Sequence, residues 1–216
     1  MQKTCNETKL SQAKLNYIRS NLVGTNVLDV GAGYCYYSEW LINNKPNLNI
    51  VCIDKLELPN QNGIQFLSLN LENPLPLESN TFDTIFAFDV FEYIDNEHNF
   101  VKELFRACKS NGVIIGSVPH ENTHFLPAYN LTYYQHADTR HKRRYTTASI
   151  KEVLETGGFT NVVVEQQGII SPNIIAEFFP RSLQYVVRKS VQLLHSIRLI
   201  RSGILASDLF FVAYKE

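Results

Sequence analysis

The chain has 216 residues, 44% hydrophobic and 19% charged, the proportions of one ordinary folded domain with a sizeable core. A formal net charge of -1 excludes a partner held by overall charge, nucleic acid above all. There is no apolar signal core at the N-terminus, no uncharged apolar run of membrane-spanning length, and no CxxC pair among Cys5, Cys35, Cys52 and Cys108. Those thiols read as buried and reduced, as in a cytoplasmic protein.

In chain order, residues 10–22 place Leu15, Ile18 and Leu22 at helical spacing, and Gly24 ends that helix. Val27 to Val30 is an apolar strand interrupted by Asp29, followed at once by Gly31-Ala32-Gly33. A helix over 38–44 stops before Pro46. Strands follow at 49–54, 64–70 and 84–90, then a helix over 96–108 and a fifth strand at 112–119. Strands alternating with helices predict right-handed βαβ units and a parallel sheet. Residues 120–145 break the pattern, and a loop of that length inside a domain is functional or disordered. Thr146 or Thr147 caps a further helix that closes at Gly157-Gly158, before a sixth strand at 162–164 and a last one at 208–214.

Two ligand classes compete for a strand–glycine–helix opening. A dinucleotide site needs G-x-G-x-x-G, and here Tyr36 stands where the third glycine belongs. Asp29 sits where it could orient the loop around a cationic amino-acid moiety. Asp54, closing the second strand, can take both hydroxyls of a ribose. A ribose without phosphate beside a positive charge describes S-adenosylmethionine.

At these residues the chain resembles the class I S-adenosylmethionine-dependent methyltransferases, in a small-molecule, UbiE-like branch. Val27 to Gly33 is similar to that family's first motif, and Ile53-Asp54 matches its ribose-binding acid. Asn70-Leu71-Glu72, Asn80 to Ile85, Asp89 to Ile94 and Arg106 to Ile115 resemble its later segments in order. The resemblance covers roughly residues 15–168 and the final strand. It implies a single domain over 1–216 with a three-layer, Rossmann-like α/β fold, whose seven-stranded, mostly parallel sheet has an antiparallel last strand. It also implies that Asp29, Gly31, Ala32, Gly33, Tyr37, Asp54, Lys55, Asn70, Leu71 and Phe88 hold the cofactor. Cys35 departs from the family's frequent third glycine, Asn70 from its usual acid, and Tyr93 from a common histidine.

Methyl transfer needs a base only where the nucleophile must lose a proton, and histidine suits that task. His120, directly after the fifth strand, and His141 are the candidate catalytic residues. Tyr34, Asp89, Tyr93, Tyr133, Arg143 and Tyr145 are the candidate substrate residues, beneath a lid formed by 120–145. Arg140-His141-Lys142-Arg143-Arg144-Tyr145-Thr146 resembles a basic–aromatic segment of the same branch, with Arg143 suited to a carboxylate or phosphate. His120 and His124 would share a helical face as metal ligands, but Pro127 argues against a helix, and no metal is expected.

The insertion at 171–207 contains an amphipathic helix over 182–201, with Leu183, Val186, Val187, Leu194 and Ile197 opposite Arg181, Arg188, Lys189, His195 and Arg198. Such a helix packs on the core, on a second copy in a homodimer, or on an inner membrane surface through 178–201. The expected activity is methylation of a small-molecule, lipid-linked or glycan-linked acceptor, at oxygen in preference to nitrogen or carbon. The rival readings are a quinone-type C- or O-methyltransferase, a catalytically silent S-adenosylmethionine-binding protein and a dehydrogenase.

Overall fold

Alternation along the strands decides the architecture, because successive side chains of a strand point to opposite faces of its sheet. The computed structural model describes residues 10–60, 63–121, 140–167, 175–176, 179–196 and 208–216. Its strands are β1 (Asn26–Val30), β2 (Asn49–Asp54), β3 (Ile64–Ser68), β4 (Phe82–Phe88), β5 (Cys108–Pro119), β6 (Thr160–Gln167) and β7 (Asp208–Tyr214). In β4, Ile85 and Ala87 face one way and Phe86 the other; in β5, Ile114 opposes Val113 and Ile115. Both faces are therefore apolar, and each needs a helical layer.

On one face lie α1 (Gln12–Asn21) and α2 (Tyr36–Asn44), which bury Leu15, Ile18, Trp40 and Leu41 against Val27, Ile50, Phe86 and Ile115. On the other lie α3 (Glu97–Ala107) and α4 (Thr147–Thr156), with Phe100, Leu104, Ile150 and Leu154 against Leu28, Ile85, Ile114 and Phe211. A fifth helix, α5 (Arg181–Ser196), follows β6 in the chain.

The sheet order is β3-β2-β1-β4-β5-β7-β6. The first five strands run parallel, while β7 is antiparallel to both β5 and β6 and separates them. This is the expected three-layer sheet with its antiparallel last strand. The order reverses between β1 and β4, and ligands of such sheets sit outside the carboxyl ends at that crevice.

Several boundaries differ from the sequence expectation. The third strand stops at Ser68 rather than 70, where the Asn70 side chain turns back to accept from Glu72 N–H at 3.1 Å. The fifth strand begins at Cys108 rather than 112, because its irregular first residues, with Asn111 at φ 63°, still pair with β4. The sixth runs over Thr160–Gln167 because β7 gives its polar residues a partner. The helix expected over 182–201 spans Arg181–Ser196, and residues 197–207 lie outside the described ones. So does residues 122–139 of the expected lid, with His124, Tyr133 and His136.

Candidate functional site

Strand β1 ends in a turn that brings bare backbone to the crevice. Gly31 N–H and Ala32 N–H both donate to Ile53 O, at 2.8 and 3.2 Å, which folds the turn over the end of β2. Gly31 has φ +65°, and a Cβ there would run into the Val90 side chain. Gly33 has φ +53° with open space where its Cβ would be, so its backbone can be approached closely. Cys35, the N-cap of α2, also lies in the left-handed region, at φ 59°. That is the conformation a third glycine would adopt without strain.

Asp29 is buried and accepts from Ser38 Oγ at 2.6 Å, tying β1 to the first turn of α2. Burial pushes its carboxyl up to about 6, with the Ser38 hydrogen bond opposing. Its side chain is set back from the open crevice. Asp54 is at the crevice. Its Oδ2 accepts from Gly33 N–H at 2.9 Å and its Oδ1 from Leu56 N–H at 3.1 Å. Each oxygen keeps a lone pair, so the carboxylate is fixed in direction and still able to accept.

A cavity of about 470 Å³ opens at this edge, within the size range of small-molecule sites. Around it stand Gly31, Asp54, Lys55, Asn70, Leu71 and Glu72 from the β1–β3 side, and Asp89, Val90, Tyr93 and Ile94 after β4. Arg140 and Lys142 complete the lining. Of the residues expected to hold a cofactor, Gly31, Asp54, Lys55, Asn70 and Leu71 line it. Ala32, Gly33, Tyr37 and Phe88 stand behind or beside the lining, with Tyr37 and Phe88 in ring contact at 5.9 Å.

Sequence reasoning missed the polar cluster under Asp89. Asp89 has φ 55° and accepts from Ser117 Oγ at 2.6 Å, while Lys14 of α1 pairs with its other oxygen. The Lys14 ammonium also sits 5.9 Å from the Tyr37 ring centre and 5.6 Å from that of Phe88. Close by, Glu92 is buried with Oε2 lacking a hydrogen-bond partner. Burial pushes its carboxyl up to about 8, Asp89 adding to the rise and Lys14 opposing it. Glu92 was visible only as one letter of a motif, and Lys14 lies 75 residues from its partner, so no local spacing announces either.

The candidate substrate residues separate. Asp89 and Tyr93 line the cavity, and His141 Nε2 lies 3.0 Å from Tyr93 Oη with the rings edge to face. Arg140 stacks over the Tyr93 ring at 5.6 Å. Arg143 pairs with Glu97 at 2.5 Å and donates to Asp95 O at 2.7 Å. Tyr145 is buried and donates to Glu97 Oε2 at 2.5 Å. Both hold the 140s segment against the start of α3 instead of lining the cavity; the cations of that segment on the lining are Arg140 and Lys142, with Lys55 on the β2 side. Tyr34 is exposed and stacks loosely on Tyr36. His120 is buried, bridges to Tyr145 and lies 3.5 Å from Gln166 Nε2, and burial lowers its pKa. Among the described residues no group of three His, Cys, Asp or Glu side chains is placed to hold a metal ion.

Residues 6–164 match the methyltransferase-domain family. The chain belongs to the class I S-adenosylmethionine-dependent methyltransferase family. It is 30% identical over 118 residues to the probable S-adenosylmethionine-dependent methyltransferase of Mycolicibacterium smegmatis, covering 55% of this chain and 43% of that one. It is 27% identical over 109 residues to malonyl-[acyl-carrier protein] O-methyltransferase 2 of Ilyobacter polytropus, covering 46% and 41%. The match therefore spans less than half the length of either relative. In fold it is similar to an S-adenosylmethionine-dependent methyltransferase from Mesorhizobium loti, with a TM-score of 0.64 at 16% identity over 94% of this chain and 98% of the other.

The residues of this methyltransferase-family chain fit the family's cofactor. The turn at Gly31 and Gly33 leaves bare backbone, Asp54 presents two fixed acceptors, and Asn70 with Leu71 offers a polar and an apolar edge beside them.

Proposed function

We propose that the chain binds S-adenosylmethionine in the cavity at the β1–β2–β4 edge and methylates an oxygen of a small acceptor that carries an anionic group. When bound, the cofactor supplies an activated methyl group. The protein's own part is to position the acceptor, exclude water and take up a proton.

Asp54 would accept from the ribose hydroxyls and Asn70 from the base, as neutral or charged acceptors held by their own backbone contacts. For the acceptor, Tyr93 and His141 form the proton path. Tyr93 Oη can take the hydroxyl proton while passing its own to His141 Nε2, 3.0 Å away. This reading moves the base role from His120, set back beside Gln166, to a pair of which one member lines the cavity. Arg140, Lys55 and Lys142 bring positive charge to the same lining, Lys142 sharing its charge with Asp95 and Glu72, and a carboxylate or phosphate is the group such cations read. A lipid-linked or glycan-linked acceptor with that group meets the same requirement.

The observation that carries the proposal is one cavity in which a strand-end Asp54 shares the lining with Tyr93, Arg140 and Lys142. Calorimetry on Asp54→Ala should show S-adenosylmethionine affinity reduced by about a hundredfold, the loss of two charge-assisted hydrogen bonds. Unchanged affinity, or preferred binding of NADH by the parent chain, sinks the cofactor assignment. With a panel of hydroxylated carboxylates and phosphates, Tyr93→Phe should lower kcat at unchanged S-adenosylmethionine affinity. Full turnover in that variant across pH removes the Tyr93–His141 path.

A further inference from the structure

Helix α5 differs from the rest of the chain in charge and in the direction its apolar face turns. Residues 178–201 contain Arg181, Arg188, Lys189, Arg198 and Arg201 and no acidic residue, a local +5 in a chain of formal charge -1, which leaves -6 on the remainder. On an α-helix, Leu183, Val186, Val187, Val191, Leu193 and Leu194 of α5 fall in one arc of about 160°, with Arg181, Arg188 and Lys189 outside it.

A helix of a folded domain normally turns such an arc inward. Here only one margin of it is covered: Val187 and Val191 are half-buried, as are Gln184 and Arg188 on the polar side next to them. Leu183 (48% exposed), Val186 (57%), Leu193 (61%) and Leu194 (38%) form a continuous stripe facing outward. Phe179, two residues before the helix, is also exposed.

We propose that this stripe seats α5 in the interface of an anionic lipid bilayer, with the helix lying along the membrane plane. Charge complementarity selects this occupant. The stripe needs an apolar layer, and the helix carries Lys189 at the stripe's border and Arg181 and Arg188 on its polar face with no acidic residue among them; an anionic bilayer suits an apolar stripe backed by such a basic face. A second copy of the chain would cover the stripe but bring no negative charge to the basic face behind it. At 16 residues and with three basic side chains, α5 is not a spanning helix. No helix among the described residues is long and apolar enough to cross a membrane. The inference does not depend on the methyl-donor reading.

The test is flotation of the full chain with vesicles of phosphatidylcholine alone and of equal parts phosphatidylcholine and phosphatidylglycerol. Binding should be at least about tenfold stronger on the anionic vesicles and should weaken with added salt. The double variant Val186→Gln/Leu193→Gln changes two exposed side chains, so it should keep the parent circular dichroism and melting temperature yet lose vesicle binding. Arg181→Gln/Lys189→Gln should bind anionic vesicles about thirtyfold more weakly. No binding to anionic vesicles, or equal binding to both kinds, overturns the proposal. So does a concentration-dependent dimer in sedimentation that Val186→Gln/Leu193→Gln dissolves, because the stripe would then cover a second copy.

Discussion

Two glycines in the same turn have separable roles. A Cβ at Gly31 collides with Val90 inside the fold, whereas one at Gly33 meets open space and adds only left-handed strain, about 1–2 kcal/mol. Gly31→Ala should therefore lower the melting temperature by clearly more than Gly33→Ala. Gly33→Ala should keep most of the stability and lose ligand affinity; thermal melts alongside calorimetry separate the two. Glu92 gives a second expectation. Its carboxyl is raised in the folded state from about 4.5 to about 8, so the stability it contributes is present below about pH 4.5 and is lost as pH rises to about 8. Glu92→Gln should remove that loss, stabilising the protein at pH 8 by up to about 4 kcal/mol while changing little at pH 4.5. Denaturant titrations at the two pH values measure it, and a parallel shift at both would remove burial of the charge as the cause. Residue-scale chemistry was legible where one side chain sits at a strand end, as Asp54 does. It was not legible in the basic segment: Glu97, more than forty residues upstream, draws Arg143 away from the cavity and leaves Arg140 and Lys142 on its lining.

Elements were legible where an apolar run is cut cleanly by glycine or proline, as in β1 and β2; β4, without such a boundary, was expected over 84–90 and spans Phe82–Phe88. Strand β6 reads as three valines in a polar setting, and its full extent becomes apparent only once β7 pairs along it. The start of α4 was ambiguous between two adjacent threonines. The structure chooses Thr146, whose side chain accepts from Ser149 N–H at 3.0 Å while Ser149 Oγ accepts from Thr146 N–H at 2.9 Å. Both reciprocal bonds satisfy donors that the helix leaves open. Thr146→Ala should cost about 1 kcal/mol in chemical denaturation, and Thr147→Ala much less. Equal losses would mean that the cap lies elsewhere. Helix α1 was legible as an apolar spacing of Leu15, Ile18 and Leu22; its delivery of Lys14 to Asp89 was not.

Across the whole molecule, the sheet order predicts a gradient of local stability. Strands β1 and β4 are flanked on both sides and covered on both faces, whereas β6 is an edge strand with several exposed residues. Hydrogen exchange should release β6 amides first and hold those of β1 and β4 until global unfolding. Uniform protection would contradict that gradient. The parallel half was readable from alternating strands and helices. The antiparallel direction of β7 was reached through family resemblance, but its place between β5 and β6 was not, because no local pattern states which neighbours a strand will take.

That insertion carries a consequence for how the molecule is made. Among the described strands β6 pairs only with β7, and β7 leaves the ribosome about 40 residues later, a delay of a few seconds at ordinary rates of synthesis. During that interval β5 also waits with one side unfilled, so the nascent chain presents two open strand edges separated by a gap of one strand. A slow stretch of translation between 168 and 207 would lengthen the aggregation-prone interval. Chaperone dependence should thus track the timing of β7 more closely than the thermodynamic stability of the finished fold.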